Sequence, residues 1–140
     1  MKVLVPIDGS RNALKAVSHA GYLASLDSSM EIVLMYVVTF EPRSPREAAY
    51  MEKQISSNGA NDILEQAQEQ IQKEAPTASI SQIVSRGVHA ADEILRCAES
   101  GSFDMIIMGT RGLSNVQRFL MGSVSSQVSQ YAPCTVTLVK

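Results

Sequence analysis

The sequence predicts an α/β fold in which five parallel strands form one sheet with helices on both faces. Three observations lead there. Most strand-length runs, such as Val3-Leu4-Val5, Ile32-Val33-Leu34-Met35 and Met105-Ile106-Ile107-Met108, are apolar at consecutive positions, as strands buried on both faces are. The segments between them carry apolar residues at spacings of three and four, the stripe of a helix packed against a sheet. Strands and helices alternate along the chain, the order of linked βαβ units.

Each element has its own justification. Lys2 to Ile7 forms the first strand; Pro6 lacks an N–H and belongs where the ladder finishes, which places Asp8 at the strand's carboxyl edge. Asp8-Gly9-Ser10 is a turn, and Ser10 can cap the helix marked by Ala13, Leu14, Ala16, Val17, Ala20, Leu23 and Ala24. Glu31 to Val38 is the second strand. From Thr39 to about Asn61 the signals mix, with Pro42, Pro45 and Ser56-Ser57-Asn58-Gly59, so a long excursion with a helical piece around Glu47 to Ile55 is expected. Ile63, Leu64, Ala67, Gln68 and Ile71 restore helical spacing before Pro76. Ile80 to Val84 is a short third strand closed by Arg86-Gly87, followed by a helix through Ala90, Ala91, Ile94, Leu95 and Ala98. Asp92 and Glu93 sit early in that helix, where its dipole favours them. Phe103 to Met108 is the fourth strand, Val124, Val128 and Tyr131 mark a last helix, and Pro133 to Val139 is the fifth strand.

At 140 residues the chain is one domain, 1–140, long enough for a single core and too short for two. With 12 Lys and Arg against 14 Asp and Glu, the net charge of -2 supplies no field for nucleic acid or an anionic membrane. No apolar run approaches the roughly 20 residues that cross a bilayer, so the chain reads as soluble and cytoplasmic. Cys97 and Cys134 read as small buried hydrophobes, and neither His19 nor His89 has a partner at ligand spacing. No metal held by protein groups alone is expected.

Chemistry concentrates at one end of the predicted sheet. Loops after the first strand (Asp8, Gly9), the second (Val37, Val38) and the fourth (Gly109 to Gly112) emerge on the same edge and can meet in the crevice where strand order reverses. Gly109-Thr110-Arg111-Gly112 lets backbone approach a ligand, and Gly122-Ser123-Val124-Ser125-Ser126 opens a helix whose free N–H groups, dipole and hydroxyls suit a phosphate. The loop is not a P-loop, because GxxxxGK[ST] is absent, and GxGxxG is missing after the first strand. Asp8 reads either as a ligand or as a turn residue, Arg111 either as a phosphate partner or as a solvated charge. Ser123 reads as the helix N-cap in either case, while Ser125 and Ser126 also read as plain exposed first-turn serines.

The pattern Gly109-x2-Gly112-x9-Gly122-Ser123 resembles the nucleotide-binding signature of the universal stress protein family. VLVPIDGS, YVV, SRGV, MGTRG, MGSVS and PCTVTLVK resemble the same family in order and spacing over essentially the whole chain. The resemblance implies a five-stranded Rossmann-like fold of the adenine nucleotide alpha hydrolase-like kind and, with the glycine pattern intact, ATP binding. Carried over, Asp8 and the backbone at Val37 would serve the adenine end, and Pro6 would also contact the nucleotide. Met108, Gly109, Arg111, Gly112, Gly122, Ser123, Val124 and Ser125 would meet ribose and phosphates. A Mg2+ or Mn2+ ion would be held by the phosphates and water. The resemblance also implies a homodimer through the last strand, Thr135 to Val139, acting in a nucleotide-dependent stress response with little or no turnover. A slow ATP hydrolase or phosphotransferase and a nucleotide-free dimeric interaction module are the other readings. Hydrolysis lacks a base, since neither glycine segment holds a His or Glu, and turnover is expected far below about 1 to 1000 per second. His89 departs from the proline or alanine common there in the family and reads either as a solvated loop residue or as a functional one.

Overall fold

The computed structural model describes residues 1–40, 44–45, 58–112 and 121–140. The helical piece expected around Glu47 to Ile55 lies outside them. At the centre stands β1 (Lys2–Ile7), flanked by β2 (Glu31–Thr39) and β4 (Met105–Gly109), with β3 (Ser79–Gly87) and β5 (Thr135–Val139) at the edges. All four strand pairs in the order β3-β2-β1-β4-β5 are parallel. Among the described residues the helices are α1 (Arg11–Leu26), α2 (Asn58–Glu74), α3 (Ala90–Gly101) and α4 (Ser123–Tyr131).

The apolar runs are explained by cores on both faces of the sheet. Val3 and Val5 pack with Ile32, Leu34, Ile107 and the stripes of α1 and α2, whereas Leu4 packs with Val33, Met35, Ile106 and the stripes of α3 and α4. Each fully buried aliphatic side chain of this size contributes about 1.5–3 kcal/mol relative to exposure. The strand order reverses between β1 and β4, so a crevice lies beyond their carboxyl ends.

Strand boundaries differ from expectation most in β3, β4 and β5. β3 extends to Gly87 because it pairs with β2 over nine residues, from Glu31↔Ser79 to Thr39↔Gly87. An edge strand carries polar residues toward solvent, so the apolar pattern understates its length. β4 starts at Met105: Phe103 is buried in the core, but it precedes the ladder, where the Asp104 N–H donates to the Lys2 carbonyl at 2.9 Å. β5 starts at Thr135, after Pro133-Cys134. Both cysteines are half-buried rather than fully buried, and burial pushes both thiols up from their ordinary value. Among the described residues no helix is long and apolar enough to cross a membrane.

Candidate functional site

The turn after β1 is set by three residues. Gly9 has φ +80°, a conformation that glycine adopts without steric cost. The Ser10 N–H donates to Asp8 Oδ1 at 2.9 Å, and Ser10 Oγ accepts the Ala13 N–H at 3.2 Å, capping α1. Such a cap contributes about 1 kcal/mol. Asp8 therefore holds the turn with one carboxylate oxygen. The other, Oδ2, faces the glycine loop: a Cβ built on Gly112 would lie 2.6 Å from it. The turn role of Asp8 thus leaves a second oxygen directed at the loop.

At the end of β4 the chain is drawn against α1. A Cβ on Gly109 would lie 2.7 Å from the carbonyl carbon of Asn12, so a glycine is needed for the helix to start this close to the strand. The Asn12 side-chain amide donates to Thr110 Oγ1 at 3.4 Å, and the Ser10 hydroxyl donates to the Arg111 carbonyl at 3.4 Å. One carbonyl then joins this loop to α4. Thr110 accepts the Gly122 N–H at 2.8 Å and the Ser125 hydroxyl at 2.8 Å. The two glycine segments, separated in sequence, are thereby held side by side.

Helix α4 is capped by Gly122, with φ -65° and ψ 156°, and not by Ser123, which is its first helical residue. The Gly122 backbone is already extended and its carbonyl accepts the first helical bond, from the Ser126 N–H at 2.9 Å. Ser125 is 2 % exposed, so it is no solvent-facing serine; its hydroxyl is engaged by the Thr110 and Gly122 carbonyls. With no side chain capping the helix, the N–H groups of Ser123, Val124 and Ser125 have no acceptor among the described residues. Gly122 itself needs no glycine for folding. A Cβ there would meet Ser125 Oγ and the Thr110 carbonyl at 3.4 Å, ordinary contact, and its φ suits any residue.

These pieces enclose a cavity of about 220 Å³. Its wall includes Pro6 and Asp8 from the end of β1, Val37 from β2, and Met108, Gly109, Arg111 and Gly112 at the end of β4. Gly122, Ser123, Val124 and Ser125 complete it from α4, so the eleven residues marked in the sequence surround one space. Ile7, Ala13, Met35, Ala90 and Ile94 also line it and were missed. They belong to apolar strands and helix stripes, and that pattern does not separate a residue facing the core from one facing a cavity. Its wall combines apolar residues, among them Met35, Val37 and Ile94, with Ser123, Val124 and Ser125 of the first turn of α4. Such a combination fits a ligand with a flat apolar head and an anionic tail. His89 lies outside this cavity, as the N-cap of α3, and makes no side-chain cap bond.

Residues 1–140 match the profile of the universal stress protein family. The chain belongs to that family. It is 37% identical over 116 residues to a universal stress protein of Methanothermobacter thermautotrophicus, covering 79% of this chain and 76% of the relative. A universal stress protein of Methanocaldococcus jannaschii is 32% identical over 143 residues, covering 99% of this chain and 81% of the relative. Among solved structures, a universal stress protein of Lactobacillus plantarum superposes with a TM-score of 0.87 at 24% identity, over 100% of this chain and 97% of its own. One from Archaeoglobus fulgidus, solved in complex with dAMP, gives 0.71 at 22% identity, over 100% and 98%. One from Arabidopsis thaliana, solved with AMP bound, gives 0.71 at 20% identity, over 100% and 91%. The Lactobacillus plantarum protein thus shares the Rossmann-like architecture seen here.

Proposed function

We propose that this protein binds ATP in the crevice and that the bound state biases a homodimer or partner surface, with little or no turnover. One observation carries the reading: the Thr110 carbonyl holds the glycine loop of β4 beside the uncapped first turn of α4, on the wall of a cavity with apolar lining residues. In this reading the adenine lies near Pro6, Asp8 and the Val37 backbone. The phosphates take the N–H groups of Ser123, Val124 and Ser125, with Arg111 as their charged partner. Complexes of the Archaeoglobus and Arabidopsis proteins with dAMP and AMP support an adenine nucleotide as the ligand class. Asp8 is the single carboxylate among the described wall residues, so a Mg2+ or Mn2+ ion would take phosphate and water oxygens.

The described wall residues include no His or Glu, and Asp8 is assigned to the adenine end in this reading, which supports low turnover. The proposed dimer uses β5, an edge strand paired with β4 on one side, with Val136 and Leu138 partly exposed. Mass spectrometry of small molecules released from gently purified, denatured protein tests the nucleotide, together with thermal denaturation in added ATP. ATP at a thousand times its Kd stabilises by about 4 kcal/mol. Absence of any adenine nucleotide and of any thermal shift refutes the reading.

A further inference from the structure

A second cavity, of about 460 Å³, lies beside the first and shares Ala90, Ser123 and Val124 with it. Its other walls are Thr39 and Phe40 at the end of β2, Val88 and His89 before α3, and Gln127 on α4. Resting on the ATP reading above, we propose that this compartment receives a second nucleobase, so that the whole crevice holds a dinucleoside polyphosphate, with Phe40 and His89 offering the stacking surface.

Size, position and lining agree. The first cavity, at about 220 Å³, is below the range of about 300–1,000 Å³ common for small-molecule sites, whereas the two together fall inside it. The shared wall contains Ser123 and Val124, whose N–H groups face the phosphates in the proposed reading. A phosphate chain leaving the first cavity therefore crosses the first turn of α4 into the second. The far walls are not built for a terminal phosphate: among the described lining residues there is no Lys or Arg. The lining residue Gln127 is instead tied to a carboxylate, since Asp92 Oδ1 accepts from its amide at 2.8 Å. What the walls do present is a phenyl ring, an imidazole, the exposed apolar Val88, the hydroxyl of Thr39 and the amide of Gln127. Aromatic faces with a few polar groups are what an uncharged nucleobase requires.

Both stacking residues sit on backbone fixed by secondary structure. The Phe40 N–H donates to the Gly87 carbonyl at 3.2 Å, prolonging the β2–β3 ladder, and the His89 carbonyl accepts the Glu93 N–H at 3.3 Å as α3 begins. With the backbone held in this way, only the two side chains remain to be ordered when a base settles on them.

Calorimetric titration of the full chain with ATP and with diadenosine tetraphosphate, for the wild type, Phe40→Ala and His89→Ala, tests the inference. The tetraphosphate is expected to bind at least about tenfold tighter than ATP, beyond the twofold factor from its two equivalent ends. Phe40→Ala and His89→Ala should each remove most of that advantage while ATP affinity stays within about twofold. Equal affinity of the two ligands in the wild type, or parallel loss of both in the variants, overturns the second compartment and leaves ATP binding standing. Failure of the folded wild type to bind ATP overturns the nucleotide reading, and the inference with it.

Discussion

Valine at Gly122 separates the demands of folding from those of the ligand. Gly122 has φ -65° and ψ 156°, extended backbone that a β-branched residue adopts readily. A Cβ would touch Ser125 Oγ and the Thr110 carbonyl at 3.4 Å, ordinary contact for the branch point itself. Valine caps a helix poorly, at about 1 kcal/mol, and the more restricted unfolded chain offsets part of that. The melting temperature should therefore fall by no more than about 5 °C. Binding should respond far more. If a phosphate accepts from the Ser123 and Val124 N–H groups, each charge-assisted bond contributes about 1.5–3 kcal/mol, and branched methyls at the mouth of that turn displace it. Losing two such bonds removes about 3 kcal/mol or more, at least about a hundredfold in ATP affinity. Gly109→Ala is the contrast, because its Cβ would lie 2.7 Å from the backbone of Asn12. That overlap should destabilise the fold by about 1–3 kcal/mol. Competition titration with a fluorescent nucleotide and thermal denaturation read both effects. Wild-type ATP affinity in Gly122→Val refutes the argument, as does a Gly122→Val protein that unfolds as readily as Gly109→Ala.

Three further outcomes are expected. Ser125→Ala removes one of the two donors to the Thr110 carbonyl, so urea denaturation should show a loss of about 1 kcal/mol and ATP should bind several-fold more weakly; unchanged stability means the clamp does not hold the two segments together. Burial raises the Glu93 carboxyl, but the hydroxyl of Ser85 at 2.5 Å and the Arg96 guanidinium outweigh it and hold it below its ordinary value of 4.5. A lowered folded pKa contributes stability that is present above the unfolded value and disappears as pH falls through the folded one. Ser85→Ala should thus cost about 1 kcal/mol at neutral pH and progressively less in acid, and a cost unchanged by acid contradicts this assignment. Leu138→Asp should give monomers in sedimentation velocity with the fold retained, and a persisting dimer places the interface elsewhere than β5.

The strands and helices were legible because burial on both faces forces unbroken apolar runs and one-sided burial forces a helical stripe. β3 was shortened because an edge strand half in solvent ends in Ser79 on one side and Ser85-Arg86-Gly87 on the other, which the apolar pattern discounts. The glycine segments stood out because they interrupt those patterns. The roles within them did not: sequence alone placed the cap of α4 at Ser123, although Gly122 provides it, and allowed Ser125 as an exposed residue, although it is buried. Caps and burial depend on where the neighbouring loop comes to rest.

Local chemistry written along the chain was enough to determine the alternation of elements, the turn at Asp8-Gly9-Ser10 and the two segments with backbone to offer an anion. Which glycines serve packing and which leave room for a ligand was decided by tertiary structure alone. Gly109 meets the backbone of Asn12, whereas Gly122 meets nothing closer than 3.4 Å, and residues so far apart in sequence acquire that difference only when the sheet brings them together. The same is true of the second cavity, whose walls come from β2, α3 and α4 and carry no shared signature before folding assembles them.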